Sequence, residues 1–301
     1  MKNVINYFYN IDIKDIYQNK EEYYFKYNND NYTFQEYKRT NEELYELYNL
    51  EYYLYSIGIY LHEIILNNTN QILTNYNDKN YILMKIIVND DDKINVNHVK
   101  KISNIIIPNN YKSLLRNNWL NMWSNKIDYI ENVIDSNKNK YKEFGSNIDY
   151  FIGLTENAIQ LLGNVNNDKM YLSHQRININ MKVKDLYNHL NIIIDNRCRD
   201  ICELYKDKLI KEKEIENLNL YIDDLNNYEK YLFFIRFLYI TQYFDIFDKT
   251  LHDDFNSEEF YNIINSIEKY EEFIKELYVY LNSNNILPEI EWIKKQAYKL
   301  V

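Results

Sequence analysis

The sequence predicts an α+β chain in two lobes, a small β-rich lobe with one helix over residues 1–92 and a larger, mostly helical lobe over 93–301. Two Tyr/Phe-rich runs flank a turn within the first forty residues, whereas from about residue 95 onward the apolar period is helical. Four Gly and two Pro in 301 residues are too few for a loop-rich all-β fold, so a helix-rich one is favoured.

Along the chain, "EEYYFKYNNDNYTFQEY" places aromatic runs on either side of "NNDN", a hairpin signal. In "TNEELYELYNLEYYLYSIG", Thr40 and Glu43 form a capping box, Leu44, Leu47, Leu54 and Ile57 fit one helical face, and Gly58 ends the helix. "EIILNNTNQIL" and "NYILMKIIV" read as strands, the second an inner one because it is almost continuously apolar. "VNDDDKINVNHVKK" is polar and joins the lobes. Beyond it come a helix carrying Trp119 and Trp123 one turn apart and a helix "NIDYFIGLTENAIQLLG". "KMYLSHQRI" and "HLNIIIDNR" follow as short irregular pieces. The rest reads as helices: "RDICELYKDKLIKE", "YEKYLFFIRFLYITQYFDIF", "SEEFYNIINSIEKYEEFIKELYVYL" and "PEIEWIKKQ".

The net charge of −10 and the absence of a basic arm argue against nucleic-acid binding, which needs a cationic face. No run of about 18 apolar residues is present, so no membrane-spanning helix is expected, and the N-terminus does not read as a signal peptide. Cys198 and Cys202 lack two further ligands in sequence reach and are expected as reduced thiols. His62, His98, His189 and His252 are scattered singly, without metal-ligand spacing. The abundance of Asn, Lys and the 33 Tyr follows AT-rich codon usage, which explains a Tyr-rich surface as well as an assembly interface does.

This order of elements is the layout of the protein-kinase-like fold. The motifs "GLTENAIQLL", "LSHQRI" and "DNRCRDICEL", in that order and spacing, resemble the YutH-type spore coat proteins, relatives of the aminoglycoside and choline phosphotransferases. The Trp119/Trp123 pair and "LFFIRFLYITQYFDIF" resemble the same family, and the resemblance covers nearly the whole chain.

The resemblance implies where phosphoryl-transfer groups belong, and the residues there are unsuited to the task. No glycine precedes Gly58, so the first hairpin has no phosphate-covering glycine loop. Gln35 stands at the phosphate-pairing lysine's position, with Lys38 three residues on. In the catalytic loop, residues 170–180, Arg176 stands where the base belongs, and a guanidinium has no acceptor for a proton. In the metal loop, residues 190–200, Asn191 stands at the carboxylate position. Asp195 lies four residues on, where strand alternation would return it to the same side as a displaced ligand, and a capping or turn role is the alternative. His174 and Asp200 match positions that brace the loop. Arg176 is expected to fill the old phosphate pocket by pairing with Asp195 or Asp200.

The other candidates have structural readings: Trp119 and Trp123 as a core contact, Glu156 and Asn157 within a structural helix, and Glu42, Glu43 and Glu46 as solvated helix-face charge with Glu43 in the cap. The expectation is a non-catalytic protein without cofactor or metal, made in the mother cell. It would act in the spore coat through contacts with other coat proteins. The alternatives are an ATP- and Mg²⁺-dependent phosphotransferase using Asp195 and Lys38, or an inactive nucleotide sensor.

Overall fold

The structure is a computed structural model that describes residues 1–19, 21–136, 141–142, 144–145, 147–163, 169–212, 216–251, 254–283, 286–291 and 293. His252 and four residues of "PEIEWIKKQ", 292 and 294–296, lie outside the described residues.

The small lobe is one antiparallel sheet with a helix on each face. Strands β1 (Ile16–Asn19), β2 (Glu22–Tyr27), β3 (Asp30–Glu36), β4 (Glu63–Ile65), β5 (Leu73–Tyr76) and β6 (Lys79–Lys85) are ordered β1-β2-β3-β6-β4, with β5 also pairing β6. Strand β6 is therefore internal, and its side chains alternate between two cores. Leu83 packs with Ile5, Phe25 and Phe34, while Ile82 and Met84 pack with Tyr37, Leu44 and Ile64. Burial on both faces explains the unbroken apolar run.

The expected single helix of this lobe is α2 (Asn41–Ser56), but a second, α1 (Lys2–Tyr9), covers the opposite sheet face. Helix α1 left little trace in the pattern because Ile5 is its only buried residue. Helix α2 starts with the Thr40/Glu43 capping box. It ends in a Schellman arrangement, in which Gly58 at φ +80° donates to the carbonyl of Tyr55 and Ile59 donates to that of Leu54. Its inward face is Leu44, Leu47, Leu50 and Leu54, while Ile57 is the exposed C-cap residue rather than part of that face.

Asparagine does the work that few glycines leave undone. The β2–β3 turn has Asn28 and Asn29 at φ 48° and 68°, and the β5–β6 turn has Asn77 and Asp78 at 51° and 60°. Both central residues at positive φ give the primed turns that match strand twist, and Asn and Asp tolerate that region best after glycine. The Asn excess is thus partly structural.

The large lobe opens with α3 (Val96–Ser103) and β7 (Ile106–Ile107). It continues through α4 (Trp119–Ser136), α5 (Asn147–Leu162), β8 (Met170–His174), β9 (Ile192–Asp195) and α6 (Arg199–Lys211). Helices α7 (Asn219–Asp223), α8 (Asn227–Leu238), α9 (Thr241–Leu251), α10 (Ser257–Asn265) and α11 (Ile267–Asn282) follow. The pieces read as irregular contain regular strands: β7, β8 and β9 form a small sheet in which Tyr171 faces Asp195 and His174 faces Ile192.

Two segments read as single helices are each broken. Between α8 and α9 the buried ammonium of Lys206 takes the carbonyl of Tyr239 at 2.7 Å, removing it from the helical ladder. Between α10 and α11, Ser266 turns its hydroxyl back to the carbonyl of Ile263 at 2.7 Å. Leu47, Leu50 and Leu54 of α2 belong to the large lobe's core, so α2 is packed into both lobes.

Candidate functional site

Strands β8 and β9 present the loop of residues 175–191, which carries two 3-10 turns, Val183–Tyr187 and His189–Asn191, on the floor of the interlobe cleft. The cleft, about 1700 Å³, is also lined by β1, β2 and β3 of the small lobe.

His174 and Asp200 hold this loop from beneath, both fully buried. The backbone N–H of His174 donates to Asp200 Oδ1 at 3.1 Å, and its ring Nδ1 lies 2.6 Å from Asp200 Oδ2. Its Nε2 lies 2.9 Å from the carbonyl of Leu186, within the first 3-10 turn. Both ring nitrogens are thus tied, one to the start of α6 and one to the loop.

Asn191 completes the brace. Its Oδ1 accepts from the backbone N–H of Arg176 at 2.9 Å, and its Nδ2 donates to the carbonyl of Arg176 at 2.8 Å. One amide side chain therefore brackets a single residue as a β-neighbour would, and the carbonyl of Asn191 accepts from Gln175 at 2.7 Å.

Arg176 lines the cleft, but its guanidinium does not take the carboxylate partner expected of it. Its side chain is 64% exposed and pairs with Asp245 of α9 at 2.9 Å, not with Asp195 or Asp200. Burial raises the Asp245 carboxyl above its usual range, and Arg176 opposes that shift.

The expected partner role belongs to Arg199 instead. Its Nε lies 2.9 Å from Asp195, it approaches Asp200 at 3.8 Å, and its Nη1 donates to the carbonyl of His174. Spacing of i,i+4 from Asp195 was the available signal. Asp195 is fully buried and accepts from Trp119 Nε1 at 3.1 Å, so it does not share the cleft-facing side of Asn191. Burial pushes its carboxyl up to about 6, against Arg199 and Arg236.

Behind Asp195, Arg236 stacks over Trp119 and Trp123 at 4.7 and 5.4 Å, which makes the tryptophan pair core structure. Arg236 also donates to Glu203 at 2.8 Å. Burial opposes ionisation of Glu203, but Lys206, Arg236 and Arg199 outweigh it and hold this carboxyl well below the usual range. Cys198 and Cys202 are buried free thiols beside this network.

In the small lobe, Gln35 is buried and serves as an interlobe tie. It donates to Thr33 Oγ1 at 2.8 Å and accepts from Asn188 Nδ2 at 3.1 Å. Lys38 is exposed and paired with Glu21 at 2.6 Å. Glu21 and Glu22 stand at the β1–β2 connection that borders the cleft. Glu22 accepts from the Tyr24 hydroxyl, and Glu21 neutralises Lys38, so this edge of the cleft offers phosphate no free cation in Lys38.

Sequence reading passed over Arg39, although strand alternation places it with Gln35 and Tyr37 rather than with Lys38. Arg39 donates to the carbonyl of Ile192 at 2.6 Å and to Glu43 at 3.0 Å. Glu43 is only 7% exposed and also pairs with Arg116 at 2.5 Å. Glu46 accepts from the N–H groups of Ser113 and Leu114 at 2.9 and 3.2 Å. Glu43 and Glu46 are therefore lobe-to-lobe connectors, not solvated charge.

Two of the scattered histidines also meet at this junction. His189 lies 3.0 Å from Glu51, and His62 is lowered to about 4 by burial, then by His189 and Lys184. Glu156 is exposed, Asn157 donates to the carbonyl of Gly153 at 2.7 Å, and both lie on α5 away from the cleft.

A small sheet-plus-helix lobe and a helical lobe, joined around a loop between two short strands, define the kinase-like fold. Solved structures agree. The chain is similar to the aminoglycoside phosphotransferase from Alicyclobacillus acidocaldarius at 8% identity, TM-score 0.68, covering 94% of this chain and 97% of that one. The AMP-bound spectinomycin phosphotransferase APH(9)-Ia matches at 13% identity, TM-score 0.53, over 88% and 93% of the two chains. Amicoumacin kinase hAmiN matches at 10% identity, TM-score 0.53, over 92% and 90%. At such identities the likeness concerns the fold alone. No curated protein matched the sequence. The family model "Spore coat putative kinase YutH" matches residues 2–277, and the chain belongs to that spore coat family. No described helix is long and apolar enough to cross a membrane.

Proposed function

We propose that this chain is a non-catalytic kinase-like component of the spore coat, working through contacts with other coat proteins and without a metal–nucleotide cofactor. The observation that carries the reading is the Arg176–Asn191 bracket. The loop position of the base holds a permanent cation, and the amide at the metal-ligand position spends its donor and its acceptor on that residue's backbone. A Mg²⁺ ion would have to break the bracket and would gain only a neutral oxygen. The relocated alternative fares no better, since Asp195 is walled in by Trp119 and Arg199, and Lys38 is matched by Glu21.

The open cleft favours one second reading, an inactive nucleotide-binding sensor. Thermal denaturation with ATP and Mg²⁺ separates the readings. A ligand at 100 times its Kd stabilises by about 2.7 kcal/mol. An unchanged melting curve supports the contact protein, a shift without turnover supports the sensor, and a metal-dependent shift with phosphate release overturns both.

A further inference from the structure

The outer face of α2 carries exposed tyrosines. Tyr45, Tyr48, Tyr52 and Tyr55 recur at spacings of three, four and three, so they share one stripe. Tyr45, Tyr52 and Tyr55 are 67%, 61% and 65% exposed, well beyond what a covered helix shows. The rings are ordered among themselves. Tyr48 and Tyr52 meet edge to face at 5.2 Å with their hydroxyls 2.8 Å apart, and Tyr55 meets Tyr60 edge to face at 5.4 Å.

The helix beneath cannot readily shift, because Leu47, Leu50 and Leu54 are in the large-lobe core and Glu46 caps Ser113 and Leu114. The stripe is thus a rigid platform whose ordering cost is met in folding, which favours association.

Its charge selects a partner. Helix α2 has no Lys or Arg, and of its four Glu three are held at the lobe junction, by Arg39 and Arg116, by the Ser113 and Leu114 N–H groups and by His189, which leaves Glu42 exposed one turn before Tyr45. Elsewhere an intramolecular cation covers a tyrosine, as with Lys126 over Tyr129 at 5.6 Å and Lys184 over Tyr24 at 5.6 Å. Among the described residues no Lys or Arg stands over the four rings of the stripe. Aromatic faces and carboxylates both attract cations, and the chain's net charge is −10.

We propose that this stripe docks a lysine- or arginine-bearing extended segment of another protein. The stripe, ten residues along the helix from first ring to last, is roughly 15 Å long, which an extended segment of about five residues spans. The proposal rests on the reading of the chain as a contact protein and names the surface and the partner's chemistry.

The test uses fluorescein-labelled decapeptides of alternating Lys and Ser, or Glu and Ser, with anisotropy read at physiological salt. The full chain is compared with Tyr45→Ser/Tyr52→Ser/Tyr55→Ser and with Tyr7→Ser/Tyr17→Ser/Tyr261→Ser, which removes equally exposed tyrosines elsewhere without altering charge. Circular dichroism confirms that each is folded. The lysine peptide is expected to bind at least tenfold more weakly to the α2 variant and equally to the control variant. Equal affinity for wild type and the α2 variant, or a glutamate peptide bound as tightly as the lysine one, overturns the proposal. Phosphoryl transfer by the wild-type chain would instead remove the contact reading and leave the peptide result standing.

Discussion

Replacing Asp200 by Ala removes two attachments of the β8–β9 loop at once. The His174 N–H loses its acceptor, and the buried ring loses its carboxylate partner at 2.6 Å. An orphaned buried donor costs roughly 1–3 kcal/mol, and stripping one member from a buried charge-assisted pair costs roughly 3–5 kcal/mol. The two are not additive, because they share one carboxylate. A loss of about 3–5 kcal/mol is expected, a large part of a typical folding free energy. Asp200→Asn keeps an acceptor for the N–H and is expected to lose less, about 1–3 kcal/mol. The contrast is Arg176→Ala. Its pair with Asp245 is largely solvated on the arginine side, so the change is expected to stay within about 1 kcal/mol. Urea unfolding followed by circular dichroism, with midpoint and slope fitted separately, reads all three variants. A loss below about 1 kcal/mol for Asp200→Ala, or an Arg176→Ala loss equal to it, would refute the view that the retained pair is structural and the substituted position is not.

Further outcomes follow from the lobe junction. Glu43→Ala breaks the α2 capping box and leaves Arg39 and Arg116 without their shared carboxylate, so roughly 3 kcal/mol is expected to be lost. Hydrogen exchange is expected to quicken along the start of α2; unchanged protection there would count against the connector role. His62 is lowered from 6.5 to about 4, so it binds fewer protons folded than unfolded. Its contribution is present above pH 6.5 and is lost as pH falls through 4, amounting to about 2 kcal/mol by pH 5. His62→Asn is expected to flatten that part of the stability–pH curve, and a curve as steep as wild type would contradict it.

Local signals were strong enough to specify α2, because Thr40, Glu43 and Gly58 are all within the helix's own neighbourhood. The inner position of β6 was legible for a similar reason, since burial on both faces leaves an unbroken apolar run. The breaks after α8 and α10 were not legible. No Gly or Pro marks them, and the first depends on Lys206, 33 residues away in sequence. The brace was readable in part. His174 and Asp200 stood out through the resemblance of their motifs, but the bracket by Asn191 depends on a loop closing over 15 residues. The Arg39–Glu43–Arg116 relay spans 73 residues from Glu43 to Arg116, and Arg116 has no local pattern to announce it. Arg176 was assigned to the wrong carboxylates because Asp245 comes from α9, which sequence spacing cannot place beside the loop.

The central claim is that this cleft has kept its supports and given up the chemistry of phosphoryl transfer. Incubation of the purified chain with γ-labelled ATP and Mg²⁺, across aminoglycoside, amino-alcohol and protein acceptors, tests it most directly. The account predicts no label above the heat-denatured control in any acceptor. Label transferred by the wild type and abolished by a point substitution in the 175–191 loop would contradict it.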